Sequence, residues 1–117
     1  MWITLAWLAL ALIHTPPALA AFSPALCKRM YGVEEGGALG LILAHRGVLF
    51  LAVAAACVFA AIDAPARPLA SIVAAISVLG FLAGYVLAGH PKRLRAIALT
   101  DAVGLIPLGA VIADAWF

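Results

Sequence analysis

The sequence predicts an all-α protein: four transmembrane helices packed as a bundle, forming a single integral membrane domain over residues 1–117. Three observations carry that expectation. The chain is 68% hydrophobic and only 10% charged, with mean hydropathy +1.21, whereas a soluble domain carries about 25% charged residues. Folded in water, a chain of 117 residues has too little interior to hide so much apolar surface. Four apolar stretches, at residues 1–22, 37–62, 68–89 and 95–117, each reach the roughly 20 helical residues needed to cross a hydrocarbon core of about 30 Å. Finally, most charges fall in the short connections between them.

Span one opens with Trp2-Ile3-Thr4-Leu5 and meets Pro16-Pro17 near its end. Proline removes a backbone donor, so a kink or a helix end is expected near His14. Ala18-Leu19-Ala20-Ala21 resembles a small-residue cleavage site, but no Lys or Arg precedes the apolar run, which favours a retained span. The first loop carries Lys28, Arg29, Glu34 and Glu35, and Gly36-Gly37 permits a turn into span two. That span is alanine-rich and stops at Asp63-Ala64-Pro65-Ala66-Arg67-Pro68, where two prolines enforce a tight connection.

Span three carries Ser71, Ser77 and the Gly80-x-x-x-Gly84 spacing that admits close helix contact, within the bundle or between subunits. Gly36-x-x-x-Gly40 offers the same on span two. His90-Pro91-Lys92-Arg93 forms the third loop, with His90 capping span three. Span four runs from Arg95, and Pro107 is expected to kink it and strand the carbonyl of Val103.

Charge asymmetry orients the chain. Loops 23–36 and 90–94 hold Lys28, Arg29, Lys92 and Arg93, with Arg95 at the membrane edge, while the opposite side has Arg67, Asp63 and Asp114. The positive-inside rule makes those two loops cytoplasmic and puts both termini outside. Trp2, Trp7 and Trp116-Phe117 then suit an aromatic belt on the outer side.

Several function classes lack their parts. A net charge of +2, scattered over two loops, does not make a nucleic-acid surface. No lysine lies within a span to form a Schiff base, no phosphate-cradling loop precedes a helix, and no two carboxylates share a buried level. Cys27 and Cys57 belong to opposite membrane faces, too far apart for a disulfide, and no C-x-x-C occurs. Ser71 and Ser77 have no evident base beside them, which disfavours a serine hydrolase.

The polar residues inside the spans are the informative ones. Counted inward from the cytoplasmic ends, His14, His45, Arg46, Tyr85 and Asp101 bring polar groups from all four spans to the inner half of the membrane. Charge at such a depth is costly unless paired or hydrated, so it faces the bundle interior. Arg46 with Asp101 is the expected pair, since guanidinium and carboxylate form two parallel hydrogen bonds. That pair either fixes helix register or lines a ligand site; alternatively Arg46 reaches the interface on its long stem. Two histidines on different helices invite haem or metal ligation, but hydrogen bonding to neighbours is the more economical role. His45 also stands about 100° around the helix from Arg46, so both need not point inward.

Tyr31-Gly32-Val33, followed by Gly40-Leu41-x-Leu43-x-His45-Arg46-Gly47 and later Ala98-Leu99-x-Asp101, resembles small bacterial four-helix membrane proteins of the DoxX-like and related uncharacterised groups. The resemblance implies a compact four-helix bundle in the bacterial inner membrane. It implies no settled activity, cofactor or substrate, and it directs attention to Arg46, Gly47 and Asp101.

The function expected on these grounds is non-enzymatic. A small membrane protein binds an amphipathic or anionic ligand, such as a lipid headgroup or a quinone, or a partner, through His14, His45, Arg46, Tyr85 and Asp101. No catalytic residue and no metal ligand is assigned, and the cofactor is unknown. The alternatives are a homo-oligomeric small transporter or channel, and an accessory subunit of a larger membrane complex.

Overall fold

The computed structural model describes residues 2–20, 22–31 and 37–117. It contains α1 (Trp2–Ala20), α2 (Pro24–Tyr31), α3 (Gly37–Ile62), α4 (Arg67–Leu87) and α5 (Arg95–Trp116). Single 3-10 turns at Ala64–Ala66 and Lys92–Leu94 lead into α4 and α5. No strand occurs among the described residues. The protein is all-α, and α1, α3, α4 and α5 are the four helices long and apolar enough to cross a membrane. Side chains such as Leu12, Ile62, Ile76 and Ile106 point outward from all four, which suits a multi-pass protein with lipid around it. Glu34, Glu35 and Gly36, and with them the expected turn and the Gly36-x-x-x-Gly40 contact, lie outside the described residues.

α1 is the central helix. It packs most extensively on α3 and next on α5, and α4 closes the ring against α5 and, less closely, α3. Accordingly 44% of the apolar stretch of α1 is buried, against 22% for each of the others. The core holds Trp7 and Leu10 of α1, Cys57 and Ala60 of α3, Ala74 and Val78 of α4, and Leu108 and Val111 of α5. Alanines at the α3 and α4 positions leave room for Trp7, which is fully buried. This corrects the aromatic-belt expectation for Trp7; Trp2 and Trp116 remain exposed, at 64% and 54%.

The prolines do not end their helices. α1 runs unbroken through Pro16 and Pro17, and α5 through Pro107. Around the first pair, side chains add hydrogen bonds to the backbone: Thr15 Oγ1 donates to Ala11 O at 2.8 Å. Membrane helices tolerate proline when such groups and their neighbours satisfy the backbone.

At the terminal end of the bundle, Arg67 ties three elements together. Its Nε donates to Ala60 O at 2.8 Å and its Nη2 to Ala61 O at 3.3 Å, which satisfies carbonyls at the end of α3. Its Nη1 stands 3.6 Å from Asp114 Oδ2 on α5. Trp116 Nε1 donates to Ser71 Oγ at 2.9 Å, and Ser71 donates to Pro68 O at 2.7 Å.

The opposite end carries Lys28, Arg29, Lys92, Arg93 and Arg95 and is the basic end. α2 is an addition to the expectation, since residues 23–36 read as loop. Ser23 caps it, its Oγ accepting the Leu26 N–H at 3.2 Å, and Pro24 occupies the first helical position. Leu26 and Met30 of α2 pack with Ala20, Leu43, Leu94 and Ile97 to close this end. α4 stops where Gly89 and His90 turn left-handed, at φ 84° and 59°. His90 caps the helix through its backbone N–H, which donates to Tyr85 O at 3.0 Å, while its ring meets Tyr85 edge-on.

Candidate functional site

α3 and α4 are successive antiparallel helices joined by the short connection over residues 63–66 and clamped at that end by Arg67. Toward the basic end a cleft of about 860 Å³ separates them. Its volume lies within the usual range for small-molecule sites, about 300–1,000 Å³. Leu49, Val53, Val73 and Ile76 make its walls apolar, and His45, Arg46 and Tyr85 line its basic end. The cleft is therefore amphipathic along its length.

Rings organise the polar end. The Arg46 guanidinium carbon lies 4.4 Å above the Phe50 ring, one helical turn along α3, and 5.4 Å from the Phe81 ring of α4. Phe81 stacks on Tyr85 at 6.1 Å, and Tyr85 meets His90 at 5.3 Å. Stacking engages the faces of the guanidinium, whereas its N–H donors leave from the edge.

His14 stands behind this wall. Its ring is 5.4 Å from Phe50, and the residue is almost wholly buried. Nδ1 is 2.8 Å from Leu10 O, and Nε2 is 2.7 Å from Ser77 Oγ on α4. A carbonyl can only accept, so Nδ1 carries the proton; in the neutral ring Nε2 then accepts from the Ser77 hydroxyl. This bond crosses the bundle between α1 and α4, and Ser77 itself lines the cleft. The expectation that Ser77 lacks a nearby base is thus overturned.

Of the five residues singled out by sequence, His45, Arg46 and Tyr85 line the cleft and His14 reaches it through Ser77. Asp101 does not line it. Arg46 and Asp101 form no ion pair; among the described residues the pair that closes within 4 Å is Arg67–Asp114. The reason is helix order: α1 stands between α3 and α5, and Arg46 packs on the rings of Phe50 and Phe81 on the α4 side of α3. Both His45 and Arg46 face the cleft despite their angular separation, because it is broad enough to span them.

Gly80 and Gly84 also line the cleft, and a Cβ at either position would meet no atom of the described residues within 4 Å. Within the bundle they serve no close helix approach; Gly104 does, since a Cβ there would stand 2.9 Å from Ile13 Cδ1. Among the described residues no group of His, Cys, Asp and Glu is placed to hold a metal ion.

Sequence reasoning missed Phe50 and Phe81, and set Ser77 aside for want of a base. The two rings carry a legible signal, since Arg46 and Phe50, like Phe81 and Tyr85, are spaced to meet on one helix face. No family model, curated protein or solved structure matches the chain.

Proposed function

We propose that the protein binds an amphipathic molecule with an anionic or strongly polar head, lipid-like or quinone-like, in the cleft between α3 and α4. One observation carries this reading: a single cleft has Arg46, His45 and Tyr85 at one end and aliphatic walls along the rest. Guanidinium recognises phosphate or carboxylate through its edge donors, and an acyl or isoprenoid chain fits the walls. The basic end faces the cytoplasm of a bacterium in this reading, with both termini periplasmic, on the strength of Lys28, Arg29, Lys92, Arg93 and Arg95. Kinship with DoxX-like proteins is part of the same proposal and rests on the residues around His45-Arg46-Gly47.

Native mass spectrometry of protein purified in mild detergent, offered phosphatidic acid, phosphatidylcholine or ubiquinone, tests it. Wild type should retain phosphatidic acid or quinone in preference to phosphatidylcholine. Gly84→Leu, which narrows the cleft, and Arg46→Ala should each reduce retention at least tenfold. Equal retention by all three proteins would sink the proposal.

Self-association is the second reading, and Gly80 and Gly84 favour it, because small residues with open space above them let another helix approach. A transporter or an accessory subunit would use that face. Cross-linking in liposomes at varied protein density distinguishes it from a monomeric binding protein.

A further inference from the structure

The geometry points to Ser77 and His14 as a nucleophile–base pair that acts on a carboxylic ester of an amphipathic anion held in the cleft. The inference rests on the binding reading above and adds a reaction to it.

Three features support it. A serine becomes a nucleophile when a base lies within hydrogen-bond reach and a third group orients that base. Ser77 Oγ and His14 Nε2 are 2.7 Å apart, and Leu10 O, at 2.8 Å from Nδ1, fixes the tautomer that leaves Nε2 as the acceptor. The pair is not sealed in the core, because Ser77 opens onto the cleft while His14 stays buried behind it. The cation is also well placed. Phe81 lies one turn from Ser77 along α4, and Arg46 packs on Phe81. Arg46, Ser77 and the aliphatic Leu49, Val53 and Ile76 line the same cleft, so an anionic head at Arg46, an ester at Ser77 and a chain along the walls share one space.

The reaction balances with water as the second substrate. Ser77 Oγ bonds to the carbonyl carbon while Nε2 takes the hydroxyl proton. The bond from that carbon to the alcohol oxygen breaks, and the alcohol leaves with the proton from Nε2. Water then adds to the acyl carbon and gives a proton to Nε2. The bond to Ser77 breaks, the serine recovers that proton, and a carboxylic acid is released.

Ser71 supplies an internal control in the unmodified protein. Its hydroxyl donates to Pro68 O and accepts from Trp116 Nε1, so it has no base beside it. The full chain in detergent is treated with an alkyl fluorophosphonate, digested and mapped by mass spectrometry. Ser77 should be labelled at least tenfold faster than Ser71. Ser77→Ala should abolish that label. His14→Gln, which offers Ser77 an amide but no base, should slow it at least tenfold. In parallel, wild type should release fatty acid from lysophosphatidic acid in mixed micelles, and Ser77→Ala should not. Labelling of Ser77 no faster than Ser71 overturns the inference, as does equal labelling in His14→Gln. If Ser77→Ala still retains phosphatidic acid while wild type shows no selective label, the reaction fails and the binding reading stands. Selective labelling without retention of any anionic lipid overturns the binding reading and, with it, the assigned substrate.

Discussion

The guanidinium carbon of Arg46 on α3 lies 5.4 Å from the ring centre of Phe81 on α4. A charge contributed by one wall of the cleft thus rests on an aromatic face contributed by the other. Such a contact is worth about 0.5–2 kcal/mol, more when water is excluded. Phe81→Leu keeps apolar bulk but removes the face. It should cost stability in that range and weaken anionic-lipid retention, whereas Phe81→Tyr should preserve both. Thermal unfolding in detergent, followed by circular dichroism, reads the first effect.

Arg67 should matter more than its ionic partner. Arg67→Ala leaves the carbonyls of Ala60 and Ala61 without their charged donor as well as breaking the contact with Asp114. Hydrogen bonds to charged groups contribute about 1.5–3 kcal/mol, and exposed ion pairs about 0–1 kcal/mol. Denaturation of Arg67→Ala and Asp114→Asn should show the arginine variant as the less stable by at least about 1 kcal/mol. Equal losses would mean that the ion pair, not the carbonyl capping, holds this end.

The glycines separate into two kinds. At Gly104 an added side chain meets Ile13 Cδ1, so Gly104→Val should overpack the α1–α5 contact and cost about 1–3 kcal/mol. Gly104→Ala should cost less, because Ile13 can swing its terminal methyl aside. Gly80→Ala meets open space and relieves the entropic cost of glycine in a helix. It should be neutral or stabilising by up to about 1 kcal/mol. Reversed signs at positions 80 and 104 would contradict the packing described above.

Trp7 is fully buried, and its Nε1 has no hydrogen-bond partner among the described residues. Leaving such a donor unsatisfied costs about 1–3 kcal/mol. Trp7→Phe loses some packing but removes that cost, so its stability should stay within about 1 kcal/mol of wild type. Trp7→Ala should lose about 3–5 kcal/mol through the cavity it opens. Thermal melts of the two variants decide it; similar large losses would show that the indole is needed as such.

The four long helices were legible because hydropathy and length alone decide them, and the helix limits at Gly37 and Ile62 fall where the apolar run begins and ends. α2 was legible in principle through Ser23-Pro24, a cap followed by a proline at the first helical position. That His14, Arg46 and Tyr85 fall toward the basic end of their helices also follows from counting along each span. What counting does not supply is rotation and neighbour order. The bond from His14 to Ser77 depends on how α1 sits after passing through two prolines. The separation of Arg46 from Asp101 depends on α1 standing between their helices. These are facts about the ring of helices, and no single span encodes them.

The cleft between α3 and α4 has Ile42, Leu49 and Ile76 exposed along its rim. In the binding reading proposed above, a hydrocarbon tail slides in sideways from its own monolayer without being wetted, so water solubility places no limit on how fast the pocket fills. Occupancy then follows the composition of the one leaflet at that depth. A change in lipid asymmetry across the bilayer would alter the bound population even with the total amount of each lipid held constant.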